Sequence, residues 1–168
     1  MTADGITIVE SSAIATYLLR TYDTSQRFSS TNWILDETLT SFAGSSLGLT
    51  IVVELLFDMV SNRTPWPLSY LANGIRSGMQ KNYTGPEFKN AMGYLQEELG
   101  DKVWFNGNEL GRADFMLSFP LDLMAQRGWM DLGREYPKIE AWRQRIQARD
   151  AWKRALEKGN GYDLSTVS

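Results

Sequence analysis

The sequence contains no cysteine and no histidine among its 168 residues. The absence of cysteine excludes disulfide bonds, thiolate nucleophiles and thiolate metal ligands. The absence of histidine removes the side chain that most often acts as an acid or base near neutral pH, and with it any Ser-His-Asp triad. Chemistry at this chain must therefore use hydroxyls, carboxylates, backbone dipoles or a bound reagent that brings its own nucleophile.

An excess of positive charge and a long apolar run are also missing. The formal net charge is −3, so we expect no nucleic-acid partner. No stretch approaches the roughly 20 apolar residues that span a bilayer, so we expect no membrane partner. The first residues lack the basic segment of a signal peptide. We also expect no metal, because a zinc site would have to be built from carboxylates alone.

The apolar periodicity predicts one short strand, one helix and then a helical bundle. Residues 6–9, ITIV, alternate like a strand, and the pattern from Ser12 to about residue 22 is that of a helix face. The polar stretch 23–32 indicates a linker. After it, the sequence predicts a long helix over 32–60 that is weakened near Gly44, helices over 68–82 and 86–99, and further helices after residue 109 and residue 136. This organisation is mainly α, with a small N-terminal segment, 1–24, and a helical domain, 25–168.

Glu10 and Ser11 stand between the predicted strand and the first helix. A helix N-terminus exposes amide groups and a partial positive charge, and so receives a carboxylate well. An acid beside it can bind an ammonium group. The pair could therefore hold both charged ends of an α-amino acid, or it is a plain helix cap with an exposed acid.

The segment Gly111-Arg112-Ala113-Asp114 has the spacing of a capping box. The Asp114 carboxylate can reach back to the Gly111 N–H, whereas glycine lacks the hydroxyl that would complete the box. We interpret this motif as a folding signal for a buried helix and not as a catalytic site.

Aromatic residues are abundant, with six tryptophans, seven tyrosines and seven phenylalanines. Most lie on predicted helical faces and supply large apolar area to a core. Some could instead line an apolar ligand cleft, and the candidates are Trp33, Phe42 and Phe119.

Three segments resemble one known family. ITIVESSAIATYLLRTYD is similar to the end of the thioredoxin-like domain of glutathione transferases, and FNGNELGRADFMLSFPLDL to the capping-box helix of their all-helical second domain. YPKIEAWRQRIQARDAWKRALEKGNGYDL resembles the C-terminal helices of that domain, in a fungal and bacterial subgroup. The resemblance implies a helical bundle of the C-terminal type, preceded by a remnant of the thioredoxin-like domain with one strand and one helix. The chain is then N-terminally truncated relative to the family.

The same resemblance implies a site. Glu10 and Ser11 match the positions that hold the γ-glutamyl end of glutathione, which would be a co-substrate. Trp33, Phe42 and Phe119 would lie near a hydrophobic substrate site along the long helix. The family's thiol-activating residue has no counterpart here, so the catalytic residue is unassigned.

Three functions remain open at this stage. The first is glutathione-dependent conjugation of a small hydrophobic electrophile. The second is glutathione-dependent isomerisation of a double bond, as in fungal secondary metabolism. The third is a non-catalytic ligand-binding or scaffold protein. The resemblance further implies a cytoplasmic homodimer.

Overall fold

A short hairpin and one exposed helix begin the chain in the computed structural model, which describes residues 1–3, 5–159 and 162–165. Strands β1 (Thr2–Ala3) and β2 (Ile6–Thr7) pair antiparallel. Helix α1 (Ser11–Tyr22) follows, and it has no buried residue among those described. The predicted strand over 6–9 is therefore shorter than expected, and it pairs with the first residues of the chain.

The rest of the described chain is helical, as the sequence predicts. The helices are α2 (Trp33–Gly44), α3 (Ser46–Arg63), α4 (Ser69–Met79), α5 (Gly85–Leu99), α6 (Arg112–Gln126), α7 (Leu132–Glu135), α8 (Pro137–Ala148) and α9 (Asp150–Lys158). The mainly-α fold class, a helical bundle preceded by a small strand-and-helix segment, is confirmed. The division at residue 24 stays a prediction.

The long helix predicted over 32–60 is divided into α2 and α3 at Ser45. The weak point predicted near Gly44 is therefore confirmed. The hydroxyl of Ser45 donates to the carbonyl of Ser41 at 2.6 Å, a bond that competes with the regular helical pattern.

The break predicted between residues 82 and 86 does not occur. A π-helical turn, Gln80–Thr84, connects α4 to α5, and the Gly85 N–H donates to the Gln80 carbonyl. A Cβ atom at Gly85 would lie 2.4 Å from that oxygen, so the close approach requires glycine. The wider turn lets Pro86, which has no N–H, follow without ending the helix.

The core lies between α2, α3, α5, α6 and α8. Its largest fully buried side chains include Trp142, Phe88 and Phe105. The apolar positions of these helices recur every three or four residues, which places them on one face. The helical domain therefore has a continuous core to which α1 adds little.

Residues 33–63 are long and apolar enough to cross a membrane, with a mean hydropathy of 1.6 over the best window, contrary to the sequence prediction. The same segment buries two carboxylates, Glu54 and Asp58, and contributes Leu39, Leu47 and Ile51 to the core. These residues are buried inside the chain's own fold, and 33% of the apolar window is buried in all.

The two buried carboxylates of α3 are held by residues of other helices. Asp58 pairs with Arg76 at 3.0 Å and with Arg127 at 2.9 Å. Glu54 accepts a hydrogen bond from the Thr84 hydroxyl at 2.5 Å. This network connects α3 to α4, to the π-helical turn and to the residue after α6.

The polar tail after α9 packs on the helices where it is described. The Leu164 N–H donates to Oε1 of Gln126 at 2.9 Å, and the rings of Trp152 and Tyr162 meet edge to face at 5.3 Å. Burial, followed by the charge of Asp122, raises the pKa of the Tyr162 hydroxyl. Within the described residues 162–165, Tyr162 and Leu164 therefore contact the helical domain.

Candidate functional site

The candidate glutathione corner is the junction of the hairpin and α1. Glu10 occupies the N-cap position with φ 68° and ψ 126°, and its carbonyl accepts the N–H of Ile14 at 2.9 Å. The Glu10 side chain is exposed and makes no capping hydrogen bond to the described residues. The carboxylate and the hydroxyl of Ser11 therefore both stand at the open N-terminal end of a helix.

Ser11 is the first residue of α1 and not its cap, which corrects the plain-cap interpretation. A capping side chain normally accepts an amide of the first turn. Glu10 holds the cap position in a conformation with positive φ, which a residue other than glycine seldom adopts. The backbone at this corner is consequently strained.

Arg112, the first residue of α6, ties α1 to the helical domain. Its Nε donates to Oδ2 of Asp36 at 2.9 Å, Nη2 to Glu37 at 2.5 Å, and Nη1 to the Thr16 hydroxyl at 2.7 Å. Burial lowers the pKa of the guanidinium, but the hydrogen bonds and charges of Glu37 and Asp36 outweigh it, so the pKa is raised. The group is thus a permanent cation between three helices.

Thr16 carries this link on to the first turn of α1. Its hydroxyl accepts from Arg112 and donates to the carbonyl of Ser12 at 2.8 Å. Asp36 also accepts the N–H of Ala113 at 3.0 Å, so the partner of the arginine is itself held in place.

The three predicted pocket aromatics are not brought into contact with one another by the described contacts. Trp33 is 72% exposed at the start of α2, and Phe119 is 53% exposed on α6. Phe42 lies nine residues after Trp33, which is half a revolution around the helix, and its ring meets that of Tyr94 at 5.2 Å. The assignment of these residues to a substrate pocket stays a prediction.

A second aromatic pair lies between the linker and α6. The rings of Phe28 and Phe115 meet edge to face at 5.4 Å. Phe115 is four residues before Phe119, so both share one face of α6. This face contacts the linker through Phe28, is apolar and is partly exposed.

A cavity of about 460 Å³ lies at the far end of α1 from the Glu10–Ser11 corner. Its walls come from α1, the linker, α2 and Arg112, and they include Trp33 and Glu37. Of the predicted site residues, only Trp33 lines it.

The half capping box is present as predicted. Oδ2 of Asp114 accepts the N–H of Gly111 at 2.9 Å. Oδ1 accepts from the backbone of Phe105 at 2.9 Å and from the indole of Trp142 at 2.7 Å. Burial raises the pKa of this carboxyl, against the lowering effect of four hydrogen-bond donors, which are the Trp142 indole and the backbone of Gly111, Phe105 and Asn106. The structure also explains the glycine, since a Cβ at Gly111 would lie 2.6 Å from Cβ of Asn106.

Arg112, Thr16 and Asp36 are the site residues that sequence reasoning missed. The only signal for Arg112 was its place directly after the capping position, where a cation is unfavourable beside a helix N-terminus. A residue that opposes the helix dipole indicates a tertiary partner, but the sequence does not name that partner.

Comparison with known proteins supports the helical domain first. Residues 80–150 match the model of the family described as Glutathione S-transferase, C-terminal domain. Two curated relatives match over most of the chain. Glutathione S-transferase 3 of Schizosaccharomyces pombe is 28% identical over 98% of this chain and 69% of its own length. Glutathione S-transferase 1 of Saccharomyces cerevisiae is 24% identical over 90% of this chain and 66% of its own length.

Two solved structures share the fold. A glutathione S-transferase of Actinobacillus pleuropneumoniae has a TM-score of 0.64 at 24% identity, over 99% of this chain and 71% of that one. Ure2p5 of Phanerochaete chrysosporium, crystallised with 1-(S-glutathionyl)-2,4-dinitrobenzene, has a TM-score of 0.71 at 20% identity, over 92% of this chain and 70% of that one.

Together the fold and these matches define a protein with a glutathione transferase-type helical domain. Residues 80–150 match the C-terminal domain family of glutathione S-transferases, and most of the chain is similar to two curated glutathione S-transferases. The chain spans about two thirds of the length of the curated relatives it matches.

Proposed function

We propose that this chain acts in a glutathione transferase-like protein, and that its Glu10–Ser11 corner holds the γ-glutamyl end of glutathione. The observation that carries the proposal is the backbone of Glu10, at φ 68° and ψ 126°. A non-glycine residue in such a region costs about 1–3 kcal/mol, and strain of this kind concentrates at ligand-binding sites. A purely structural cap would not require it.

The corner offers complementary groups to an α-amino acid. The N-terminus of α1 presents amide N–H groups and the positive end of a helix dipole, which favour a carboxylate. The Ser11 hydroxyl can donate to the same carboxylate. The exposed Glu10 carboxylate can accept from the ammonium group beside it.

Glutathione would bring the sulfur nucleophile that the chain lacks. In conjugation, the glutathione thiolate attacks a hydrophobic electrophile, and the protein holds both in reach of each other. Trp33, which lines the cavity beside α1, is proposed to contact the electrophile. Phe42 lies on the opposite side of α2, against Tyr94. The residue that activates the thiol is unassigned, so the role of Glu10 and Ser11 is binding and orientation.

Two other functions rest on the same site. In glutathione-dependent isomerisation, the thiolate adds to a conjugated double bond, the bond rotates and the thiolate leaves. In a non-catalytic role, the helical domain holds a hydrophobic ligand or a partner without turnover. The names of the curated relatives support the conjugation reading.

Isothermal titration with glutathione tests the corner. We expect binding of glutathione but not of Cys-Gly, which lacks the γ-glutamyl group. Glu10→Ala with Ser11→Ala should weaken binding by about 10-fold or more, because each charge-assisted hydrogen bond contributes about 1.5–3 kcal/mol. Glu157→Ala removes a similarly exposed acid from α9 and serves as the control. Equal affinity in the double variant and this control would reject the corner.

The reaction is distinguished by the fate of glutathione. Conjugation consumes one glutathione per turnover, whereas isomerisation returns it. A thiol-consumption assay with a generic electrophile therefore separates the two, and heat of binding without turnover supports the non-catalytic role.

We also propose a homodimer. Leu49, Val52, Leu56 and Val60 lie along one face of α3, and each is at least half exposed. A second copy would cover this apolar stripe. Light scattering should give twice the mass of the chain, and Leu56→Glu should return a monomer; a wild-type monomer would refute the proposal.

A further inference from the structure

Arg112 is the one side chain described above that touches α1 and α2 at once. Its planar guanidinium donates hydrogen bonds to Asp36, Glu37 and the Thr16 hydroxyl. The arginine side chain is only 13% exposed, so its bonds to Asp36 and Thr16 are partly shielded from competing water, whereas the Glu37 side chain is 58% exposed. A lysine could not make these bonds together, because it is a point charge with no fixed geometry.

The contact with Thr16 continues to the first turn of α1. The Thr16 hydroxyl has one proton, which it donates to the Ser12 carbonyl at 2.8 Å, and it accepts the arginine N–H on its lone pairs. Ser12 follows Ser11 directly. Two hydrogen bonds therefore connect the helical domain to the turn that carries the candidate glutathione corner.

Helix α1 is held on the domain by half-buried residues, among them Ile14, Tyr17 and Leu19. It buries no residue among those described, and the hairpin before it is largely exposed. Elements with few buried apolar contacts open locally at low free energy. A polar anchor on α1 thus has more influence on the position of the corner than the same anchor would have in the core.

We propose that Arg112 is a positioning residue that, through the Thr16 hydroxyl, fixes the first turn of α1 and so the orientation of Glu10 and Ser11. The effect on glutathione binding rests on the proposed function, whereas the anchoring of α1 by Arg112 does not. Its two consequences are local protection of the first turn and tighter binding of the tripeptide.

The test compares Thr16→Val and Arg112→Lys with wild type by hydrogen exchange and by titration with reduced glutathione. We expect amide exchange of residues 14–16, the first in α1 whose N–H groups are bonded to the preceding turn, to accelerate about tenfold in both variants, while exchange in the core helices α5 and α6 stays unchanged. Glutathione affinity should fall about threefold to tenfold, with any turnover at saturating glutathione retained. Thr16→Ser keeps the hydroxyl and should restore both values.

Thr38→Val is the matched control. The Thr38 hydroxyl donates to the Ile34 carbonyl at 2.8 Å, the same helical bond that Thr16 makes, and no arginine contact to it is described. Arg134→Lys, at a largely exposed arginine, controls for the change of cation. Both should behave like wild type.

The outcomes separate this inference from the proposed function. Exchange at residues 14–16 that matches Thr38→Val, or that rises equally in all helices, overturns the anchoring. If wild type does not bind glutathione, the proposed function fails, and the exchange result alone decides whether Arg112 anchors α1. Accelerated exchange with unchanged affinity overturns the link to the corner.

Discussion

Gly111→Ser should destabilise this protein, although it would supply the hydroxyl that a capping box lacks. Asp114 already accepts the Gly111 N–H at 2.9 Å, and a serine would add the reciprocal bond to the third amide of α6. On local grounds alone the substitution is favourable. Replacement of a glycine cap by serine gains only a few tenths of a kcal/mol.

The opposing effect comes from the loop that precedes α6. A Cβ at residue 111 would lie 2.6 Å from Cβ and 2.8 Å from Cγ of Asn106. Carbon atoms in favourable contact are about 3.5–4.0 Å apart. Asn106 is also anchored, since its side-chain amide donates to the Ser29 carbonyl at 3.1 Å. Overpacking of this kind costs about 1–3 kcal/mol, which exceeds the gain from the cap.

We expect Gly111→Ser to lower the free energy of unfolding by about 2 kcal/mol and Tm by about 4–8 °C for a chain of this length. Urea denaturation and thermal scans measure both. Asn106→Gly removes the obstructing Cβ, so Gly111→Ser should cost at least about 1 kcal/mol less in that background. Asn106→Ala keeps the Cβ and should give little relief.

The refuting results are specific. A Gly111→Ser variant that is more stable than wild type would show that capping dominates. An equal cost in the wild-type and Asn106→Gly backgrounds would show that Asn106 is not the obstacle.

Three further predictions concern buried or strained groups. Asp114→Asn should lower the free energy of unfolding by about 1–3 kcal/mol, because an NH2 group in place of Oδ2 would oppose the Gly111 N–H, donor against donor. Burial raises the pKa of Asp114 in the folded protein above its ordinary value of 3.8. The stability that this group contributes is therefore fully present below 3.8 and is lost as the pH rises through the folded pKa. In urea denaturation, wild type should exceed Asp114→Asn in stability by more at pH 4 than at pH 7, and the opposite order would contradict the assignment. Asp58→Asn removes the carboxylate paired with Arg127 and the closer of the two paired with Arg76, and should lower the free energy of unfolding by about 3 kcal/mol in chemical denaturation. Asp101→Asn, at an exposed pair with a lysine, should leave stability unchanged. Glu10→Gly should relieve the positive φ and raise the free energy of unfolding by about 1 kcal/mol while glutathione binding falls, and a loss of stability would show that the corner is not strained.

The helices were predictable because their signals are local. Each signal affects only residues that are close to it in the sequence. Examples are the apolar spacing of α6 and α8, the glycine after α5 and the proline at the start of α8. The half box at Asp114 was equally readable, since its partners Gly111 and Asp114 are three residues apart. The continuous passage from α4 to α5 was missed, because a π-helical turn depends on the close approach of Gly85 to Gln80.

The candidate site was predictable only in part. The sequence and its family resemblance put Glu10 and Ser11 at a strand-to-helix corner, and the structure shows that corner open and strained. The helical period already argues against one pocket for two of the aromatics, since it places Trp33 and Phe42 on opposite sides of α2. Whether Phe119 shares a surface with either of them depends on helix packing.

By itself, the sequence determined the helical content, the capping of α6 and the need for an external nucleophile in any thiol chemistry, because composition and short-range spacing carry that information. Only the tertiary structure decided why residue 111 is glycine and what Arg112 does. Asn106 and Thr16 reach those positions from separate segments, and side chains that meet across the fold leave no periodic trace in the sequence.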